Sequence, residues 1–357
     1  MEFLAEYGLF LLKAATIVIA FIIVISAIVA QAIKAKSLSD PNGDLRITHL
    51  NKKFDHYQEV LHEALTDKDL LKKEKKAEKK AKKAEKKAEK SAKKDAKADD
   101  DQVKPRVFVI PFEGDVKASA VEGLREAISA VLTIATEKDE VLVNIESPGG
   151  MVHTYGLAAS QLERIKEANI PLTVCVDKVA ASGGYLMACV ADKIIAAPFA
   201  IIGSIGVLAQ IPNFHRLLKK HDVDYNVMTS GEHKAPITFF GEITDKAKTK
   251  LQSDLEDTHS LFKNFILKYR SQIDMDQVAT GEIWYGQQAI DKLLVDEIMT
   301  SDSYLLNQHK EKNLYMVSFE EKKTLPEKLG LAAKIAVSST YNALLSKEQE
   351  SNLQGKC

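Results

Sequence analysis

Apolar positions recur on three different periods along this chain, and each period marks a different kind of element. The first is a continuous run. The 20 residues from Ala14 to Ile33, between Lys13 and Lys34, carry no charge and are rich in Ile, Val and Ala. Twenty helical residues rise about 30 Å, the thickness of a hydrocarbon core. Residues 1–12 hold two glutamates and no lysine or arginine, and no small-x-small site closes the run. It therefore predicts one uncleaved transmembrane anchor and not a signal peptide.

The second period is helical: Leu50, Phe54, Tyr57, Leu61 and Leu65 form a stripe between Asp44 and Leu70, suited to packing or to a partner helix. The third is that of buried strands. Val107–Phe112, Glu140–Ile145 and Leu172–Val176 are short runs rich in β-branched residues, separated by helical stretches at 118–135 and 155–168. Strand and helix alternating in this way demand crossover connections, so the expected fold is α/β with a mostly parallel sheet. Another apolar window, Leu186 to Gln210, contains Asp192, Lys193 and Pro198. A charge at the centre of a span costs about 2.5–3.5 kcal/mol, so this window belongs to a core.

Composition changes the picture in one place. The chain has 357 residues, 45% of them apolar, enough for one large or two modest cores. Its formal net charge of −1 hides a run from Lys72 to Lys97 made almost entirely of Lys, Ala and Glu. That run has no apolar stripe, so it reads as a solvated helix or an extended linker. Its lysines would be drawn to anionic lipid headgroups by about 1 kcal/mol each. Without arginine or aromatics it gives no basis for a nucleic-acid partner. Three cysteines, Cys175, Cys189 and Cys357, show no metal-ligand spacing, and their odd count argues against a disulfide framework. No metal and no cofactor is expected. The domains expected are an anchor at 1–36, a membrane-proximal helical segment at 37–71, a linker at 72–102, a catalytic domain at 103–305 and a C-terminal helical tail at 306–357.

Candidate chemistry gathers in three segments: Glu146-Ser-Pro-Gly-Gly150, Ala181-Ser-Gly-Gly-Tyr185 and Ser230-Gly-Glu-His-Lys-Ala235. They hold a serine on a glycine turn, a lysine able to deprotonate it, and backbone able to cradle an oxyanion. A serine hydroxyl attacks well only when a base takes its proton, and lysine is such a base only when its surroundings favour the neutral amine. Ser182 is the candidate nucleophile and Lys234 the candidate base. Gly149, Gly150 and Gly183 are candidate oxyanion-hole donors. Each has a plainer reading: Ser182 as the N-cap of a helix beginning near Tyr185, Lys234 as a solvated loop lysine, Pro-Gly-Gly as a turn needed for geometry alone. Lys178, four residues before Ser182, competes with Lys234. No acid stands ready to orient His153 or His233 into a triad.

The run Asp177-Lys-Val-Ala-Ala-Ser-Gly-Gly-Tyr185, followed by Gly203-Ser-Ile-Gly-Val207 and Lys234, resembles the signal-peptide-peptidase family of Ser-Lys serine proteases. The separations Ser182 to Lys234 (234 − 182 = 52) and Ser182 to Ser204 (204 − 182 = 22) fit that family. Residues 1–10, Gly150-Met-Val-His153 and Gly281-Glu-Ile-Trp-Tyr-Gly-Gln-Gln288 narrow the likeness to its inner-membrane members. The resemblance implies a ClpP/crotonase-like fold, a Ser182–Lys234 dyad oriented by Ser204, peptide or protein substrates, and a homo-oligomeric ring. In such rings serine and lysine can come from one chain or from two. One departure is visible: the family's Gly-Leu-Val-Asp-Glu reads Leu293-Leu-Val-Asp-Glu297 here.

The function expected is thus a serine endopeptidase anchored in a bacterial inner membrane. The alternative is a non-proteolytic scaffold or peptide-binding protein on the same fold. The side of the membrane stays open: the resemblance favours the periplasmic face, whereas Lys34, Lys36, Arg46, Lys52 and Lys53 after the apolar run favour the cytoplasmic one.

Overall fold

The computed structural model describes residues 43–67, 71, 104–231, 233–234 and 236–321. The expected anchor, the lysine-rich linker and the chain beyond 321 lie outside them. Among the described residues no helix is long and apolar enough to cross a membrane. Nearly all of them belong to one compact unit, Leu45–Phe319.

The three expected strands form as β2 (Arg106–Glu113), β3 (Glu140–Glu146) and β4 (Leu172–Val176). Helices α2 (Val121–Leu132) and α3 (Val152–Glu167) connect them. The pairs β2–β3 and β3–β4 are parallel, with Val109 opposite Leu142 and Val143 opposite Val174. With β1 (Gly43–His49), β6 (Lys193–Ala196), β9 (Glu297–Ile298) and β10 (Asn313–Glu321), they make a seven-stranded sheet in the order β1-β10-β2-β3-β4-β6-β9.

Successive residues serve opposite faces, as the pleat requires. Phe108, Ile110, Phe112, Val143, Ile145 and Val174 join a core with α2 and α3. Val107, Val109, Leu142 and Cys175 join a second, smaller core. Leu50 of α1 (Leu50–Leu65) and Tyr304 and Leu305 of α9 (Ser301–Gln308) pack there. Both faces are covered, which is why these strands read as unbroken apolar runs. Cys175 and Cys189 are buried free thiols, and burial pushes both far above the ordinary thiol range.

Two expected boundaries move. The helical stripe begins at Leu50, because residues 43–49 are spent on β1. The region expected as a helical tail from 306 instead returns through β10, whose Tyr315 lies opposite Phe108. The sheet thus takes strands from both flanks of the 103–305 segment. The Leu186–Gln210 window folds as the end of α4 (Gly183–Ala188), then β6 and β7 (Ile201–Gly203); as far as Ile205 it is mostly core as expected, whereas Phe199 and residues 208–210 are exposed.

A small second sheet, β5-β7-β8, combines β5 (Val179–Ala181) parallel to β7 and β8 (Ile283–Tyr285) antiparallel to it. It joins the carboxyl end of β3 through a bridge between Ser147 and Ala180. Ligand sites in open α/β sheets gather at strand carboxyl ends. Both glycine turns leave from such ends.

Candidate active site

Ser182 stands between β5 and α4, on a strand-to-helix turn. Its backbone has φ 51° and ψ −117°, a combination that residues with a Cβ avoid. The strain is held by the surroundings: the Ser182 N–H donates to the Gly203 carbonyl at 2.8 Å. An N-cap serine has extended backbone and binds the first turn through its hydroxyl. Ser182 does neither, for its side chain makes no capping bond. The turn presents a half-buried, uncommitted hydroxyl, in the manner of a nucleophile elbow.

The Pro-Gly-Gly turn packs directly on this elbow. Gly149 has φ +86°, and a Cβ there would lie 2.7 Å from the Gly183 nitrogen and 2.8 Å from Ser182 Cβ. Only glycine permits that approach. A Cβ on Gly150 would lie 2.1 Å from the Val116 carbonyl oxygen, which accepts the Met151 N–H at 2.9 Å. The three candidate donors are not equivalent. The Gly149 N–H is committed to Ser147 Oγ at 3.1 Å. The N–H groups of Gly150 and Gly183 meet no acceptor among the described residues.

The floor of the elbow is rigid. Tyr185, fully buried, donates its hydroxyl to the Leu294 carbonyl at 3.0 Å, and burial pushes the phenol well above its usual range. Arg270 grips Asp296 through two nitrogens at 2.7 and 2.8 Å and donates to the Leu293 carbonyl. Asp296 in turn accepts the N–H of Ile194 in β6 at 2.7 Å.

Ser204 lies next to the Gly203 carbonyl that holds Ser182. Its own φ is 53°, its N–H donates to the Glu282 carbonyl at 2.6 Å, and its hydroxyl meets no partner among the described residues. The two candidate lysines differ sharply. Lys178 donates to both carboxylate oxygens of Glu146, at 2.8 and 3.0 Å, and that hydrogen bond raises its pKa. A lysine held charged in this way is a poor base. Lys234 is exposed, its backbone N–H donates to the Gly231 carbonyl at 3.2 Å, and no hydrogen bond joins it to Ser182. The chain therefore brings together Ser182, Ser204, Gly149, Gly150 and Gly183, and joins Lys234, in a long exposed segment, to none of them by a hydrogen bond. Among the described residues no cluster of His, Cys, Asp and Glu could hold a metal ion.

Sequence reasoning missed Ser147 and Tyr155. Ser147 Oγ lies 2.5 Å from the Tyr155 hydroxyl, which donates to the Asp115 carbonyl at 2.7 Å. Ser147 sits inside a motif already singled out, but nothing in the sequence marks Tyr155, an unexceptional first-turn residue of α3.

A strained serine turn abutting a glycine turn thus lies at strand carboxyl ends of a mostly parallel α/β sheet, where ligand sites gather. The N-terminal part of peptidase family S49 matches residues 2–162, and the main S49 peptidase family matches residues 164–315. A probable protease SohB of Haemophilus influenzae is 50% identical over 332 residues, covering 93% of each chain. A probable protease SohB of Buchnera aphidicola from Schlechtendalia chinensis is 45% identical over 311 residues, 86% of this chain and all of that one. A putative signal peptide peptidase SppA of Enterococcus faecium is 31% identical over 176 residues, about half of each chain (49% and 51%). The chain belongs to peptidase family S49, and that membership supports a peptidase role.

Proposed function

We propose that this chain is a membrane-anchored serine endopeptidase in which Ser182 is the nucleophile and Lys234 the base. The observation that carries the reading is the strained turn at Ser182, with the free N–H groups of Gly150 and Gly183 beside it. Ser182 Oγ attacks the scissile carbonyl, and Lys234 takes its proton. The carbonyl oxygen, now an anion, is held by the two amide N–H groups, the kind of preorganised donors that each contribute about 10²–10³ in rate. Collapse expels the amine with a proton from Lys234 and leaves an acyl-enzyme, which water then hydrolyses with the same lysine as base. Ser204 orients the lysine.

Substrates are peptides or protein segments, and no cofactor takes part. The fold reading is the ClpP/crotonase arrangement, the domain reading is an anchor, a lysine-rich linker and a catalytic domain, and residues 14–33 supply the anchor to a bacterial inner membrane. The segment bearing Lys234 exposes Leu208, Phe214, Met228 and Phe239. That apolar surface supports assembly into a ring, in which Lys234 of the same or a neighbouring chain is carried to Ser182. The exposure of Lys234 is also the one observation favouring a non-proteolytic peptide-binding role.

Labelling separates the two readings. A fluorophosphonate probe should modify the full-length protein, and Ser182→Ala should abolish both labelling and peptide hydrolysis. A folded wild-type protein that neither labels nor hydrolyses peptides favours the binding role.

A further inference from the structure

Tyr155 reaches both halves of the proposed oxyanion hole, touching Gly183 directly and the Gly149–Gly150 turn through Ser147. It is fully buried, and its two ends do different things. The ring lies directly beneath Gly183: a Cβ built there would be 2.4 Å from Tyr155 Cγ and 2.7 Å from Tyr155 Cβ. The hydroxyl holds Ser147, which holds Gly149, the residue before the second free N–H.

Counting protons fixes the direction of that chain. A carbonyl only accepts, so the single proton of the Tyr155 hydroxyl goes to Asp115 O at 2.7 Å. The Ser147 hydroxyl must therefore donate to the Tyr155 oxygen, 2.5 Å away, and its own oxygen accepts the Gly149 N–H at 3.1 Å. The relay runs from Gly149 N–H through Ser147 and Tyr155 to the Asp115 carbonyl, with every donor used once.

Both ends are anchored. The Asp115 carboxylate accepts from Lys117 N, Ser119 N and Ser119 Oγ at 3.1, 2.8 and 2.8 Å, which sets the loop that carries its carbonyl. The next carbonyl of that loop, of Val116, receives Met151 N–H just after Gly150. Gly114 closes the space around the relay, since a Cβ there would be 2.5 Å from the Tyr155 oxygen and 2.7 Å from Ser147 Oγ.

On the reading that Ser182 is an acylating nucleophile, we infer that Tyr155, through Ser147, is a positioning residue that sets the gap between the Gly150 and Gly183 N–H groups. It touches neither substrate nor reacting atoms. Its effect falls on the transition state, because donor placement matters most where negative charge develops.

The test uses the full-length protein, a fluorogenic peptide and the matching peptide aldehyde, which forms a tetrahedral adduct with an oxygen in the hole. Tyr155→Phe keeps the ring beneath Gly183 and removes only the hydroxyl. It should lower kcat by about 10-fold to 100-fold, part of the loss seen when a whole donor is deleted, with KM within about twofold. Aldehyde affinity should fall by the same factor as kcat. Binding of the uncleaved peptide, measured in the Ser182→Ala background, should not change. Ser147→Ala should repeat the pattern from the other end, and the double variant should be little worse than either alone. Wild-type kcat in folded Tyr155→Phe overturns the inference, as does a loss confined to melting temperature or KM with aldehyde affinity intact. Should Tyr155→Phe fail to fold, Ser147→Ala decides. Failure of the underlying reading shows separately, as absent Ser182 labelling in the wild type.

Discussion

Around Ser182, the hydroxyls of Ser147, Tyr155 and Tyr185 are paired, glycines sit in contact with their neighbours, and the side chains of Tyr155 and Tyr185 are fully buried. Between Leu208 and Phe240 the described residues form one short helix, α5 (His215–Lys220), and turn large apolar side chains to solvent, Met228 at 94% exposure. Lys234 belongs to this second region. One half of the proposed site is thus preorganised by the fold of a single chain. The other half is attached to surface that a monomeric protein rarely leaves bare. The contrast separates what the sheet can build from what assembly or substrate must complete.

The strongest way to break the comparison is through the base. Lys234→Ala should reduce peptide turnover by at least about 10³-fold, since members of a catalytic unit fail together, while Lys178→Ala should cost less than tenfold. Full activity in Lys234→Ala with loss in Lys178→Ala would move the base into the preorganised half and remove the contrast.

A smaller effect sharpens the first half. The ordered region contains strain of two kinds. Ser182 has φ 51° at the proposed nucleophile, and Leu293 has φ 60° in the turn beside Arg270 and Tyr185. Leu293 is half exposed, so its side chain gives little packing in return. Leu293→Gly should raise stability by about 1 kcal/mol, the approximate penalty of a left-handed non-glycine residue, and leave kcat unchanged. Denaturant unfolding checks it. A loss of stability would mean that the Leu293 side chain contributes more than its backbone costs.

Much of this was legible in the sequence, for reasons that differ by element. β2, β3 and β4 were readable because both faces of the sheet are covered, which turns each strand into an apolar run. The close packing at Gly149, Gly150 and Gly183 was readable because close backbone approach demands glycine, and clustered glycines are visible. β10 was hidden because Asn313–Glu321 mixes polar and apolar residues and its place in the sheet depends on β1 and β2, distant in sequence. Strand β5, three residues long, has no period to detect. The commitment of the Gly149 N–H to Ser147, and the role inferred for Tyr155, depend on distances that no spacing encodes. The left-handed backbone at Leu293 falls where the family resemblance implies glycine, so the departure marks a turn that favours glycine.

The central claim is that Ser182 and the N–H groups of Gly150 and Gly183 form one acylation site. A crystal structure of the protein with a bound peptide aldehyde tests it most directly. The account predicts a covalent bond from Ser182 Oγ to the aldehyde carbon, with the new oxygen about 3 Å from both nitrogens. An adduct on another residue, or an oxygen turned away from Gly150 and Gly183, would contradict it.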